Sequence, residues 1–210
     1  DNLAKYIRFQ MTALVAFIAC YLGAAFFVIA GGIPFSPLVI LWVNFLIQVP
    51  IAIALGFDKP QGDLMERKPR PLSQPVLSRS QWTRAIFIGL LMAFGTLLLE
   101  AAFEPNGAAV AATMAFVVFS LFNVTIGLAA RSETKTVFSA DNLADRRQLG
   151  LYGLALLLIL LPTELGFLQR MLGTTSLNGN QWLLCIGFAF ALLVVDEIIK
   201  VALRSRQHAD

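Results

Sequence analysis

Long apolar runs separated by brief polar breaks dominate this chain, at roughly 6–30, 37–57, 82–103, 108–130, 148–169 and 181–202. Each is about as long as the ~20 helical residues needed to cross a hydrocarbon core of about 30 Å. The pattern predicts an all-α, polytopic membrane bundle of six transmembrane helices forming one domain over residues 1–210. Turn-forming residues close two of the breaks, Gly31-Gly32-Ile33-Pro34 and Glu104-Pro105-Asn106-Gly107. The stretch 58–81 is rich in Pro, Arg and Ser without a helical period, and is expected to be an extended loop.

Charge orients this bundle, because Lys and Arg near spans are retained on the cytoplasmic side. With the N-terminus inside, 15 of the 16 basic residues fall on the cytoplasmic face and only Arg170 falls outside. Both termini and the loop 58–81 are therefore expected in the cytoplasm. A chain of 210 residues with 58% hydrophobic residues, 14% charged residues and a mean hydropathy of +0.74 carries more apolar surface than a soluble domain can bury. Its solvent is the lipid bilayer, and a bacterial plasma membrane is the expected setting. The net charge of +3 comes from basic residues lining membrane ends among Asp63, Glu66, Glu133, Asp141 and Asp145, so no nucleic-acid partner is expected.

Lys5 and Arg8 precede the first run, but no small-residue cleavage pattern follows, so that run is expected to remain a helix. The start Asp1-Asn2-Leu3 lacks an initiator Met and reads as a processed or partial chain. Cys20 and Cys185 lie inside apolar runs as small buried hydrophobes, and His208 alone makes no metal site of Cys/His type. Trp42, Trp82 and Trp182 are read as interface anchors, and the small residues of 108–115 as a close helix contact. Asp196 and Glu197 are expected to pair with basic residues of neighbouring loops, and Glu100 and Glu164 to reach outward from the outer ends of their spans.

Motifs add a family resemblance. Leu41-Trp42-Val43-Asn44, then Ala54-Leu55-Gly56-Phe57-Asp58-Lys59-Pro60, then Leu64-Met65-Glu66-Arg67-Lys68-Pro69-Arg70 resemble the sixth helix and following loop of cation-transporting P-type ATPases of the calcium-pump branch. Tyr6-Ile7-Arg8-Phe9 is similar to the base of that family's fifth helix, and Val195-Asp196-Glu197-Ile198-Ile199-Lys200 to the end of its tenth. The resemblance implies that the six spans are helices five to ten of a ten-helix pump. It also implies that Asp58, Lys59, Pro60, Met65, Pro69 and Arg70 belong to a loop coupling phosphorylation to helix movement. The sequence contains neither the family's DKTGT phosphorylation motif nor a phosphate-cradling glycine loop. No cofactor is expected in this chain beyond a bound cation, and ATP and Mg would act only through domains outside it.

The ion ligands that the resemblance implies are altered. A hard divalent cation takes six to eight oxygens, several of them carboxylate. Alignment from Tyr6-Ile7-Arg8-Phe9 puts Leu14 and Phe17 where the family's fifth helix offers an amide and a carboxylate. On the next span Asn44 matches the family's asparagine, while its Thr-Asp pair is Ile47-Gln48; on the fourth span Asn123 stands where a ligand glutamate is common. Asn44, Gln48 and Asn123 are thus the candidate ion-binding residues, a neutral cluster suited to weak or monovalent binding, with interhelical hydrogen bonding as the competing role. Pro50 is expected to loosen the helix just beyond Gln48. Two functions compete. One is the membrane half of a pump, whose partners are the first four helices and the cytoplasmic ATPase domains. The other is a non-catalytic, pump-derived subunit that stabilises another membrane protein. An unrelated secondary transporter would show inverted repeats, and none is convincing here.

Overall fold

The computed structural model describes residues 2–58, 76–132, 136–137 and 145–207, and all regular structure among them is helical. Helix α1 spans Asn2–Phe27 and ends in a 3-10 turn, Ile29–Gly32. Helix α2 (Pro37–Leu41), a π-helical turn (Trp42–Ile47) and α3 (Gln48–Gly56) join into one span. Then follow α4 (Arg79–Phe103), the 3-10 turn Glu104–Asn106, α5 (Ala108–Ala130), α6 (Arg146–Glu164), α7 (Gly166–Leu172) and α8 (Gly179–Gln207).

Local chemistry sets several of these boundaries. Ser36 accepts from the Val39 N–H at 3.3 Å, and Pro37, which has no N–H to satisfy, opens α2. Ser78 and Gln81 form a reciprocal capping box at 3.2 and 2.7 Å, so α4 begins at Arg79 and the preceding loop is shorter than the 58–81 expected. Asn178 and Gln181 make the same exchange at 2.9 and 2.8 Å and start α8 at Gly179 rather than at 181. Asp145 Oδ1 caps α6 by accepting from the N–H groups of Arg147 and Gln148.

Five stretches are each long and apolar enough to cross a membrane, and the sixth qualifies only when α6 and α7 are taken together. That pair bends by 88°, so the straight span expected at 148–169 is instead α6 followed by a short helix nearly perpendicular to it. The chain turns at Leu165, which is extended, and two side chains satisfy carbonyls of the last turn of α6. Thr174 Oγ1 donates to the Pro162 carbonyl at 2.5 Å, and Gln169 Nε2 donates to that of Thr163 at 2.6 Å. Between α1 and α2, Val28 and Ala30 hold left-handed backbone at φ 58° and 49°, so the turn expected at 31–34 begins three residues earlier.

Helix α5 is the axis of the bundle and packs against α1, α3, α4, α6 and α8. In its most apolar stretch 83% of residues are buried, against 17% for α8, which is the peripheral helix. Helix α1 faces its neighbours with Phe9, Ala13, Ala16, Cys20 and Ala24, one side at spacings of three and four, and exposes Leu14, Ile18 and Leu22. Small residues set the separations. A Cβ at Gly89 would stand 2.9 Å from Val15 Cβ and 3.0 Å from the Thr12 carbonyl oxygen, and one at Gly127 would stand 2.3 Å from Ile51 Cγ2. Both cysteines are free and buried, as expected.

Gly89→Ala and Gly127→Ala are therefore expected to destabilise the bundle by about 1–3 kcal/mol each, as overpacking does. Gly153→Ala, where a Cβ meets nothing within 4 Å, serves as the neutral control. Thermal unfolding in detergent micelles reads the difference.

Candidate functional site

The span α2–α3 carries the break on which the midplane site is built. Pro50 offers no N–H to the carbonyl of Leu46, one turn earlier. The ladder widens on that side, and the Gln48 N–H reaches back five residues to the Val43 carbonyl. The loosened turn therefore precedes Gln48 rather than following it. Trp42 begins this turn, and its indole Nε1 donates to the Leu158 carbonyl at 2.9 Å. That acceptor is free because Pro162, four residues on, has no N–H for it. Trp42 is thus a half-buried interhelical donor and not the interface anchor expected.

Gln48 and Asn123 come together as expected. Gln48 Nε2 donates to Asn123 Oδ1 at 3.0 Å, and both residues are buried. Asn123 Nδ2 donates to the Phe119 carbonyl at 2.8 Å, and Gln10 Nε2 approaches Gln48 Oε1 at 3.4 Å. An amide relay thus runs from α1 through α3 to α5. Asn44 does not join it. Lying within the widened turn, it folds back and donates to its own helix at the Ile40 carbonyl, 2.8 Å away. Gln10 is the relay member that sequence reasoning missed, although an amide in the first turns of an apolar span was a visible signal.

Outward of the relay, the positions where the resemblance implied ligands on the first span are apolar. Leu14 is exposed on the outside of the bundle. Phe17 lies 4.4 Å from Phe119 and 5.8 Å from Phe35 between ring centroids, and Phe35 and Phe119 are 5.1 Å apart. These three rings come from α1, α5 and the turn before α2, and each lies toward the outer end from the amide on its own span. They form an apolar plug above the relay.

At the basic end, Asp58 is buried between two cations. Its Oδ2 accepts from Lys5 Nζ at 2.6 Å, and its Oδ1 from Arg131 Nη2 at 2.9 Å and Nε at 3.2 Å. Asn2 Nδ2 donates to the carbonyls of Gly56 and Asp58 at 3.0 and 2.8 Å, and Gln148 Nε2 to that of Ala54 at 2.6 Å. The first residue of the predicted coupling loop is therefore clamped to the bases of α1 and α5, while α6 holds the last turn of α3 through Gln148. Lys59, Pro60, Met65, Pro69 and Arg70 lie outside the described residues. A second cluster joins α4 to α8. Arg84 pairs with Asp196 Oδ1, and Asp196 Oδ2 stands 3.2 Å from the wholly buried Lys200, which also bonds Glu197 at 3.1 Å. Asp196 thus takes a helical partner rather than a loop one, while Glu197 accepts from the Val137 N–H of the α5–α6 connection at 3.1 Å.

Residues 32–202 match the protein family described as "Cation transporting ATPase, C-terminus". The chain belongs to this family. Among relatives of this ATPase C-terminal region, the calcium-transporting ATPase of Bacillus subtilis (strain 168) is 31% identical over 192 residues, covering 90% of this chain and 21% of that protein. The human calcium-transporting ATPase type 2C member 1 is 27% identical over 217 residues, covering 99% of this chain and 22% of the relative. Calcium-transporting ATPase 1 of Saccharomyces cerevisiae (strain ATCC 204508 / S288c) is 25% identical over 213 residues, covering all of this chain and 22% of the relative. The chain spans about a fifth of the length of the curated relatives it matches. Gln48, Asp58 and Asn123 fall within the family match, whereas Lys5 and Gln10 precede it.

A buried carboxylate held by two cations makes the clamp sensitive to removal of any one member. Asp58→Ala removes the buried carboxylate that Lys5 and Arg131 share and is expected to cost about 3–5 kcal/mol. Replacing all three with apolar residues of similar volume should restore much of the loss. Chemical denaturation in micelles, with the single and triple variants side by side, checks both expectations.

Proposed function

We propose that this ATPase C-terminal region supplies part of the ion path and the mechanical coupling of a cation pump. The observation that carries this reading is the amide relay beside a π-helical turn, at the level where a bilayer-crossing ion must exchange water for protein oxygens. Gln48 Oε1 is the most available ligand, because its hydrogen bond among the described residues, from Gln10, is the longest in the relay at 3.4 Å. Withdrawal of the Gln10 amide frees that oxygen, and rotation of Gln48 then releases Asn123 Oδ1. Two neutral carbonyl oxygens compensate little charge, which favours a weakly held or monovalent cation over tightly bound calcium. The relatives named above transport calcium, and the path proposed here lacks carboxylates at the corresponding depth.

The partners in this reading are the lipid bilayer, the first four helices of the pump and its cytoplasmic ATPase domains, where ATP and Mg act. The setting is a bacterial plasma membrane with the basic end inward. The Asp58 clamp holds the start of the loop against the foot of α1, so that movement of the loop is transmitted to the helix bearing Gln10. The names of the relatives support a section of a pump, and no observation favours a separate stabilising subunit.

In the complete pump, Gln48→Leu is expected to raise the half-saturating cation concentration about tenfold, equivalent to ~1.4 kcal/mol. Asn44→Ala, outside the relay, should change it by less than about twofold, or ~0.4 kcal/mol. Cation-stimulated ATPase activity reads both. Unchanged cation dependence in Gln48→Leu and Asn123→Leu, with a lowered melting temperature, would reduce the relay to a helix-packing element.

A further inference from the structure

The outer half of the bundle contains a chamber that plays no part in the relay. It has a volume of about 410 Å³ and lies between the α1–α2 turn, the outer ends of α4 and α5, and the end of α7. At an ordinary share of about 30 Å³ per water, such a space accommodates an ion with its hydration shell. Its walls are mostly apolar, with oxygens from Ser36, Glu100, Glu104 and Thr174, and no Lys or Arg among the described residues lines it. Thr174 gives its hydroxyl proton to the Pro162 carbonyl, which leaves its oxygen lone pairs for another partner.

Glu100 is the residue that requires explanation. It was expected to reach the interface, but it is 1% exposed, and neither carboxylate oxygen has a hydrogen-bond partner among the described residues. The one neighbouring hydroxyl on its own helix, one turn earlier, is engaged elsewhere, since Thr96 Oγ1 donates to the Met92 carbonyl at 2.8 Å. A buried carboxylate left without a partner is costly, and intramembrane acids that face a cavity mark cation routes. Glu104 follows one turn later, exposed at the rim, so two carboxylates stand in sequence from mouth to floor.

We infer that this chamber is a second cation site, in which Glu100 binds a partly hydrated metal cation admitted past Glu104 from the outer face. The aromatic plug of Phe17, Phe35 and Phe119 separates it from the amide relay, and Phe35 lines the chamber wall itself. The site does not depend on the relay carrying an ion. Its ligands are the Glu100 carboxylate, the wall hydroxyls and retained waters, a set that suits a hard cation held loosely.

Infrared difference spectroscopy on the complete protein in lipid nanodiscs tests the site, with calcium chloride or potassium chloride exchanged against choline chloride. A carboxyl-to-carboxylate difference band, the Glu100 proton passing to bulk water as the cation takes its place, is expected on adding either metal ion, lost in Glu100→Gln and retained in Gln48→Leu. Retention in the latter separates this site from the relay. Glu104→Gln, at the exposed rim, needs no buried rearrangement and should weaken the response on the order of threefold by removing one nearby charge. No band in the wild-type protein, or a band unchanged in Glu100→Gln, overturns the inference. If Glu100→Gln does not fold, an unshifted response in Glu104→Gln overturns it instead.

Discussion

Inside a bilayer no water is available to satisfy a carbonyl that a proline has left without its N–H, so each interruption of a spanning helix must be answered by protein. Two prolines create such interruptions. Pro162 frees the Leu158 carbonyl, and the indole of Trp42 occupies it from the neighbouring span. Pro50 acts on the turn before it, where the backbone adopts the wider π-helical pattern that ends at Gln48. Trp42 begins the same turn, so the consequences of the two prolines meet in one place and α6 is tied to the span beside it. The outer bend obeys the same constraint, with Gln169 and Thr174 covering the last carbonyls of α6.

Around this backbone framework, polar groups are distributed in depth. The basic end holds two buried ion-pair clusters, Asp58 between Lys5 and Arg131, and Asp196 between Arg84 and Lys200. The middle holds neutral amides that satisfy one another across three helices, and next to them aromatic rings. The outer end holds, in a chamber, a carboxylate without a hydrogen-bond partner among the described residues. Carboxylates are thus paired with cations at the basic end, whereas Glu100 at the opposite end has no hydrogen-bond partner among the described residues. The clamp at Asp58 also gives the start of the loop signature a physical meaning, because a residue outside the apolar span is buried between cations from α1 and the end of α5.

Much of the fold was legible because hydropathy and positive charge respond to the bilayer and not to neighbouring helices. Span number, the two short turns and the placement of basic residues follow from that single solvent. The packing was not legible, since lipid and protein interior are equally apolar and a hydrophobic run does not say which it faces. The apolar stretches of α5 and α8 look alike by hydropathy, yet one is the axis and the other the periphery. For the same reason Glu100 reads as an interfacial acid in sequence, whereas the turn before α2 and the end of α7 close over it in the fold.

The candidate site divides along the same line. Gln48, Asn123 and Asp58 were visible as polar residues in or beside apolar runs. Asn44 looked like a partner of Gln48 at a spacing of four, but the widened turn between them breaks the α-helical register on which that spacing depends. Gln10, Lys5 and Arg131 entered only through contacts spanning 38 to 73 residues of sequence. What the sequence alone determined was membrane residence, the six apolar runs and the identity of the polar residues within them. Which of those residues meet was decided by tertiary structure, because close approach at Gly89 and Gly127 and the proline-made breaks set helix separation and rotation that no local pattern encodes.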